Sequence, residues 1–180
     1  MESAGVDTGL QTPRLSLRRP GVADLDVVLR LHQNPLAVAH NPGDALADRP
    51  AAQRLLQRWS DHWVRHGVGY WAVSWRDDPE VLGFCGVKVM TLRARPVSNL
   101  FYRLDPCAWG QGVGSEAAAV VVEWSLQLHP GRPVIARVRP ANHTSARVAL
   151  KAGLARAAEL DSLGEDGPDW IFASPGWTTT

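Results

Sequence analysis

Between Leu104 and Leu126 the chain reads LDPCAWGQGVGSEAAAVVVEWSL, and this stretch constrains the fold more than any other. Gly110, Gly112 and Gly114 alternate with larger residues and run straight into an apolar, alanine-rich segment of helical character. The segment just upstream, NLFYRLD, reads as a strand. A glycine-rich turn between strand and helix lets main-chain N–H groups approach a ligand closely, and the helix behind it adds the positive end of its dipole. That is a site for an anion, most often a phosphate.

Two familiar phosphate turns fit poorly. A mononucleotide loop of the form G-x-x-x-x-G-K-[ST] needs a lysine after its glycines, and none follows. A dinucleotide turn, G-x-G-x-x-G, is nearly matched by Gly110, Gly112 and Ser115. Its glycines leave the strand directly, however, and an acidic residue about 20 positions on holds the ribose. Here a Pro-Cys-Ala-Trp spacer intervenes, and the next strand offers Arg137 and Arg139 instead.

The rest of the chain supplies the order of elements. RLSLRRP alternates as a strand and stops at Pro20. ADLDVVLRLHQNP places Leu25, Val28, Leu29 and Leu31 on one helical face and closes at Asn34-Pro35. LAVAHNPGDALADR is turn-rich and takes no element. A second helix starts near Pro50 and runs to Gly67, with Leu55, Leu56, Trp59 and Trp63 as its apolar stripe. GYWAVSWRD and VLGFCGVKVM read as a hairpin across Asp77-Asp78-Pro79, and NLFYRLD is the third strand of that sheet. A helix follows from about Gly112 to Leu128, then the strand RPVIARVRP, then the short helix NHTSARVALKAG with Gly153 as its C-cap. ARAAELDSL and DWIFAS are the last strands. A meander of three strands before the glycine turn excludes a simple doubly wound fold. The order implies an α/β (α+β) class: a mixed sheet, antiparallel first, with one right-handed βαβ crossover.

Composition narrows the partners. A formal net charge of +1 provides no basic field for DNA or RNA. The pairs Arg93/Arg95 and Arg137/Arg139 suit a small anionic ligand or are simply solvated strand ends. Two cysteines, Cys85 and Cys107, make no disulfide framework and fit a reducing cytoplasm. The opening MESAGVDTGLQTPRL lacks the basic-then-apolar pattern of a secretory leader, and no apolar run is long enough to span a membrane. The expectation is a cytoplasmic protein with a loose tail over residues 1–12 and one domain over 13–180, with no membrane and no nucleic-acid partner.

The element order, the LDP leaving a strand, the WGQGVGSEA opening a helix and the RPANHTSARVALKAGL that follows resemble the GCN5-related N-acetyltransferase (GNAT) superfamily. Within it the chain is most similar to the branch that acetylates ribosomal-protein N-termini and to that branch's bacterial relatives. The resemblance runs from about Thr12 to Ser174. The family turn is (Gln or Arg)-x-x-Gly-x-(Gly or Ala); Gly112 and Gly114 fill its small positions and Trp109 stands where Gln or Arg is commonest. The resemblance implies a mostly antiparallel sheet of six to seven strands, flanked by about four helices and splayed between its central strands. It implies acetyl-CoA as co-substrate, with the pyrophosphate cradled from Trp109 through Gly110, Gln111, Gly112, Val113 and Gly114 to Ser115. It further implies that the strand end at Leu104 pairs with pantetheine, helped by Asn142 and by Ser145 three residues later. No metal is implied.

In such enzymes an amine attacks the thioester directly, so the protein must supply a neutral amine, an oxyanion donor and help for the leaving thiolate. Two usual residues are missing. The position of the family's Tyr acid, seven after Asn142, is Ala149, and the position of the branch's Glu base, three before Tyr102, is Asn99. Ser145 is the candidate for contacting the thiolate, against the plain reading of a helix first-turn serine. For the base there remain a water chain or a residue of the turn-rich segment, His40 or Asp44. His62 and His66 have the spacing of a two-histidine metal face, but no third ligand accompanies them. Trp59 and Trp63 are core residues or a wall of the acceptor pocket, and Cys107 is packing rather than nucleophile. The expected function is acetyl transfer to a primary amine. A protein N-terminus is the favoured acceptor, a small-molecule amine is close behind it, and a homodimer fits the branch. The alternative is a non-catalytic acyl-CoA sensor.

Overall fold

The computed structural model describes residues 9–164 and 166–177. Nine strands form the sheet among the described residues: β1 (Leu10–Gln11), β2 (Leu15–Arg18), β3 (Tyr70–Trp75), β4 (Asp78–Leu92), β5 (Arg95–Leu104), β6 (Val134–Val138), β7 (Ala155–Arg156), β8 (Ser162–Gly164) and β9 (Gly167–Ala173). The helices are α1 (Leu25–Gln33), α2 (Arg49–His66), α3 (Val113–Leu128) and α4 (His143–Lys151). The strand order is β1-β2-β3-β4-β5-β6-β9-β7, with β8 paired to β9. Each pairing is antiparallel except β5–β6, which is parallel because α3 carries the chain across.

Period-two alternation on the strands gives the sheet two apolar faces, and each is covered by a pair of helices. On one face Leu25, Val28 and Leu31 of α1 and Ala52 and Trp59 of α2 pack on Ala72, Val81 and Phe84. Helix α2 starts where Asp48 accepts the Ala51 N–H at 2.8 Å, with Pro50 in its first turn. On the other face α3 presents Val113, Ala117, Ala118 and Val121, and α4 presents Val148 and Ala149, against Val73, Cys85, Val87 and Leu100.

The sheet is wider than the six to seven strands expected. The additional strands are two or three residues long, too short for an alternating pattern to show. One of them corrects the tail: Leu10 and Gln11 pair with Leu17 and Ser16. Residues 1–8 lie outside the described residues. ARAAELDSL is not one strand but β7, a 3-10 turn over Ala158–Leu160, and β8. The β4–β5 hairpin is also longer than expected, closing at Arg93 and Ala94 with φ of 47° and 61°.

What positions the site is where β5 and β6 part. Their pairing ends at Leu100 opposite Ala136. Strand β5 continues to Leu104 against Gly83–Gly86 of β4, while β6 continues to Val138 against β9. From Phe101 to Leu104 one edge of β5 therefore has no strand beside it, and that edge leads into the glycine turn.

Candidate active site

The turn is built by glycine conformations. Gly110 and Gly112 hold φ of 74° and 79°, a region that side chains resist, and Gly112 is the N-cap of α3. The first-turn N–H groups of α3, from Val113 to Ser115, have no partner within the helix and emerge beside Leu104. Trp109, expected among the phosphate-cradling residues, also braces the turn. Its indole N–H donates to the Leu104 carbonyl at 3.1 Å, tying the turn to the free end of β5. Gln111 donates to the Cys107 carbonyl at 2.8 Å, and its own carbonyl accepts from Arg14 at 2.9 Å. Arg14 also binds Glu116 of α3 at 2.6 Å. Burial alone raises the Glu116 carboxyl, but bonds from Thr12 and Arg14 outweigh it and hold the group below its usual range. Its charge is thus engaged by the connection between β1 and β2. Arg14 beside the turn was not legible in the sequence, because its partners lie about a hundred residues away.

On the α4 side, the Asn142 Oδ1 accepts the Ser145 N–H at 3.0 Å and caps the helix. Its amide NH2 is left for another partner. The Tyr102 hydroxyl donates to the Ser145 carbonyl at 3.2 Å and shares a short hydrogen bond with the Ser145 Oγ. Burial, opposed by the Ser145 bond, pushes the Tyr102 phenol up to about 12, so it carries its proton at neutral pH. Ala149, on the buried face of α4, is fully buried and offers no proton. Tyr102, which the sequence marked only as a landmark, is the side chain that the structure brings against Ser145.

The opposite face of β5 borders a cavity of about 760 Å³. Asn99, Phe101 and Arg103, alternating on that face, line it together with α2, the α1–α2 connection and the ends of β6 and β9. Phe101 stacks on Tyr70 at 4.5 Å, and Trp59 meets Tyr70 edge-on at 5.2 Å, so Trp59 is both core and wall. Trp63 packs instead against Trp71 and Trp124. His62 accepts the Val89 N–H at 3.2 Å, and burial, with His66 and Lys88 nearby, pushes it down to about 4. His32 donates to the Val28 carbonyl at 2.8 Å and is pushed to about 4 by burial and by Arg103. Both imidazoles are uncharged at neutral pH and weakly basic.

Of the two loop residues singled out as bases, Asp44 lines the cavity and ion-pairs with Arg103 at 2.7 Å. His40 is exposed and is not among the lining residues. Asn99 lines the cavity, but its Oδ1 is buried without a donor among the described residues. Cys107 is exposed, and its bond to Asp105 raises the thiol rather than activating it. Among the described residues no group of three or more His, Cys, Asp or Glu side chains is placed to hold a metal, and no helix is long and apolar enough to cross a membrane.

A strand with one free edge, running into a glycine turn at a helix N-terminus and backed by a cavity of about 760 Å³, defines an acetyltransferase fold. The acetyltransferase (GNAT) domain model matches residues 14–155. The chain belongs to the GNAT family and is an N-acetyltransferase. An uncharacterized N-acetyltransferase, p20, of Bacillus licheniformis is 23% identical over 139 residues, spanning 77% of this chain and 78% of its own. An acetyltransferase structure from Agrobacterium tumefaciens str. C58 superposes with a TM-score of 0.77 at 23% identity, covering 91% of this chain and 92% of its own. The ribosomal-protein alpha-N acetyltransferase RimL in complex with coenzyme A is similar at a TM-score of 0.72 and 16% identity over 90% and 94% of the two chains. Spermidine N-acetyltransferase from Vibrio cholerae, in complex with CoA and spermine, is similar at 0.71 and 13% over 90% and 95%.

Proposed function

We propose that this protein transfers the acetyl group of acetyl-CoA to a primary amine. The favoured acceptor is a protein N-terminal amine, and a small-molecule amine is close behind it. The observation that carries this reading is the free edge of β5 from Phe101 to Leu104 leading into the αL glycines and first turn of α3. Solved structures of this fold hold coenzyme A, and one of them acts on a ribosomal protein, another on spermidine.

The residues fit the co-substrate. By strand alternation the N–H and C=O of Tyr102 face the gap left by β6, so they can pair with pantetheine and offer an oxyanion donor. The turn from Trp109 to Ser115 takes the pyrophosphate, and the Asn142 amide takes a pantetheine carbonyl. The amine nitrogen forms its bond to the acetyl carbon as the C–S bond breaks. One proton leaves nitrogen to water at the cavity mouth, where Asp44 stands half-exposed. The leaving sulfur takes a proton from Ser145 Oγ, Tyr102 turns its O–H from the Ser145 carbonyl to Oγ to replace it, and solvent returns one proton to the phenol, so that amide and free thiol are the only products. The pair replaces the tyrosine that Ala149 lacks.

Release of free thiol from acetyl-CoA across a panel of amines and N-terminal peptides tests the proposal. Turnover with one acceptor class supports it. Tight acetyl-CoA binding with no thiol release over the whole panel would establish the sensor alternative instead.

A further inference from the structure

The acceptor cavity is not acidic. Six arginine and lysine side chains line it against four aspartates, a net of +2. Three of those aspartates are already matched by arginine: Asp169 by Arg137 at 2.6 Å and Arg139 at 2.8 Å, Asp166 by Arg139 at 3.7 Å, and Asp44 by Arg103 at 2.7 Å. The fourth, Asp61, accepts from Gln57 at 2.8 Å. Arg58, Arg65 and Lys88 line the same cavity with no ion pair among the described residues. A polycationic amine would meet carboxylates that are already neutralised and side chains of its own sign.

Arg103 gives this excess a focus. Its side chain is 4% exposed, on the cavity face of β5 and against the Phe101 ring. Nη2 donates to Asp44, but Nη1 is buried and donates to nothing among the described residues. A buried charged donor without an acceptor is costly, and an anionic oxygen arriving from a ligand removes that cost. On the same strand face Asn99 Oδ1 is a buried acceptor with no donor among the described residues. One unpaired donor and one unpaired acceptor in a single cavity complement a ligand that brings an amine and an anion together.

Building on the acetyl-transfer reading, we propose that the acceptor is a primary amine bearing a carboxylate or phosphate, with Arg103 binding the anionic group and Asn99 receiving the amine N–H. Phosphate, a free amino-acid carboxylate and an acidic side chain near a peptide N-terminus share this chemistry.

Matched pairs separate the sources: O-phosphoethanolamine against ethanolamine, phenylalanine against its amide, and an N-terminal peptide with Asp at its second residue against the same peptide with Asn there. Binding is measured calorimetrically on the full chain with coenzyme A present, and turnover by thiol release. We expect the anionic member of at least one pair to be preferred by about 10- to 100-fold, the scale of one charge-assisted bond. The pair with the largest ratio identifies the source. Arg103→Gln should bring that ratio near one, whereas a merely structural role for Arg103 would weaken both members alike. If Arg103→Gln fails to fold, the exposed pair Arg58→Gln and Lys88→Gln should lower the preference severalfold and reduce its salt sensitivity. Equal or better binding of ethanolamine or spermidine, or of no amine at all, overturns the proposal and leaves acetyl transfer to be judged by thiol release. A binding preference without any turnover keeps Arg103 and Asn99 as the site for such an amine and overturns its role as the acetyl acceptor.

Discussion

The Tyr102 hydroxyl meets Ser145 twice, at its Oγ and, 3.2 Å away, at its main-chain carbonyl. The two residues lie 43 apart in the chain, on β5 and on the first turn of α4. They bridge the cleft in which the thioester would lie, at the depth where β5 loses β6. Under the acetyl-transfer proposal their chemistry suits a leaving thiolate: a serine hydroxyl backed by a phenol that holds its proton.

If Ser145 hydrogen-bonds the leaving sulfur, the contact is made in the transition state. Ser145→Ala should then lower kcat and kcat/KM together while acetyl-CoA affinity stays nearly intact. A neutral hydrogen bond is worth about 1 kcal/mol or somewhat more, so the loss should be roughly five- to thirtyfold. Tyr102→Phe should cost a similar factor, and the double variant little more than the larger single effect, because the two act in series. Full activity in either single variant, with a genuine acceptor, removes that residue from the step.

Asn142 combines a structural role and a binding role that substitution can separate. Its Oδ1 caps α4 through the Ser145 N–H, and its NH2 is the proposed pantetheine contact. Asn142→Ala should cost about 1 kcal/mol of stability, as lost caps do, and weaken acetyl-CoA binding as well. Asn142→Asp keeps an acceptor for the cap and removes the NH2. It should unfold near the wild-type temperature and still bind acetyl-CoA poorly. Equal acetyl-CoA affinity in Asn142→Asp and wild type would leave the cap as the residue's whole role.

The parts of the molecule that showed in the sequence are those with a local cause. The glycine turn needs αL residues, and Gly110 and Gly112 are at those positions. Helices α1 and α2 carry a buried stripe and a cap or a proline at their ends. The two-residue strand β1 and the Arg93-Ala94 hairpin have no such mark, since neither alternation nor a turn glycine announces them. The site divides in the same way. Asn142 and Ser145 sit within one motif, whereas Arg103 finds Asp44 across 59 residues and Arg14 finds Glu116 across 102. Pairings of that kind are set by the closed sheet and leave no local pattern. His40 and Asp44 are near neighbours in sequence, yet only the second reaches the cavity, whose lining on this segment begins at Asn41.

Gly114 provides a test of the phosphate turn that avoids backbone strain. Unlike Gly110 and Gly112 it does not hold a positive φ, and a Cβ there would lie 3.5 Å from Leu104 and 3.8 Å from Val148, ordinary contact distances. Gly114→Glu places a carboxylate in the first turn of α3, beside the proposed pyrophosphate site, between Leu104 and Val148. In the wild type, acetyl-CoA at a hundred times its Kd should add about 2.7 kcal/mol, a melting shift of roughly 5–10 °C for a chain of this size. NADH should give no such shift. The variant should show a normal circular dichroism spectrum and no acetyl-CoA shift; a full shift would mean that the turn does not hold the phosphates.

The buried histidines make stability depend on pH in a window of their own. His32 is 2% exposed and titrates at about 4 in the folded chain, against 6.5 ordinarily. Between those values the unfolded chain takes up a proton that the folded chain refuses, so stability falls as pH drops from 6.5 through about 4 and then levels off. For His32 the whole interval corresponds to about 3 kcal/mol, of which about 2 is lost by pH 5. His62, partly exposed, acts in the same direction with a smaller effect. The carboxylates do not interfere. Burial raises Asp24, but its bonds to Arg18 and the Gly21 N–H outweigh that and hold it below 3.8, so its contribution is lost only at lower pH. Melting temperature followed from pH 7 to pH 5 should therefore fall by roughly 4–8 °C from the His32 contribution alone. His32→Leu removes the titrating group and keeps the site apolar, so its curve should be flatter than the wild type's over that range. Parallel curves for the two proteins would show that His32 accepts a proton in the folded chain without strain, contrary to its burial between α1, Trp59 and Arg103.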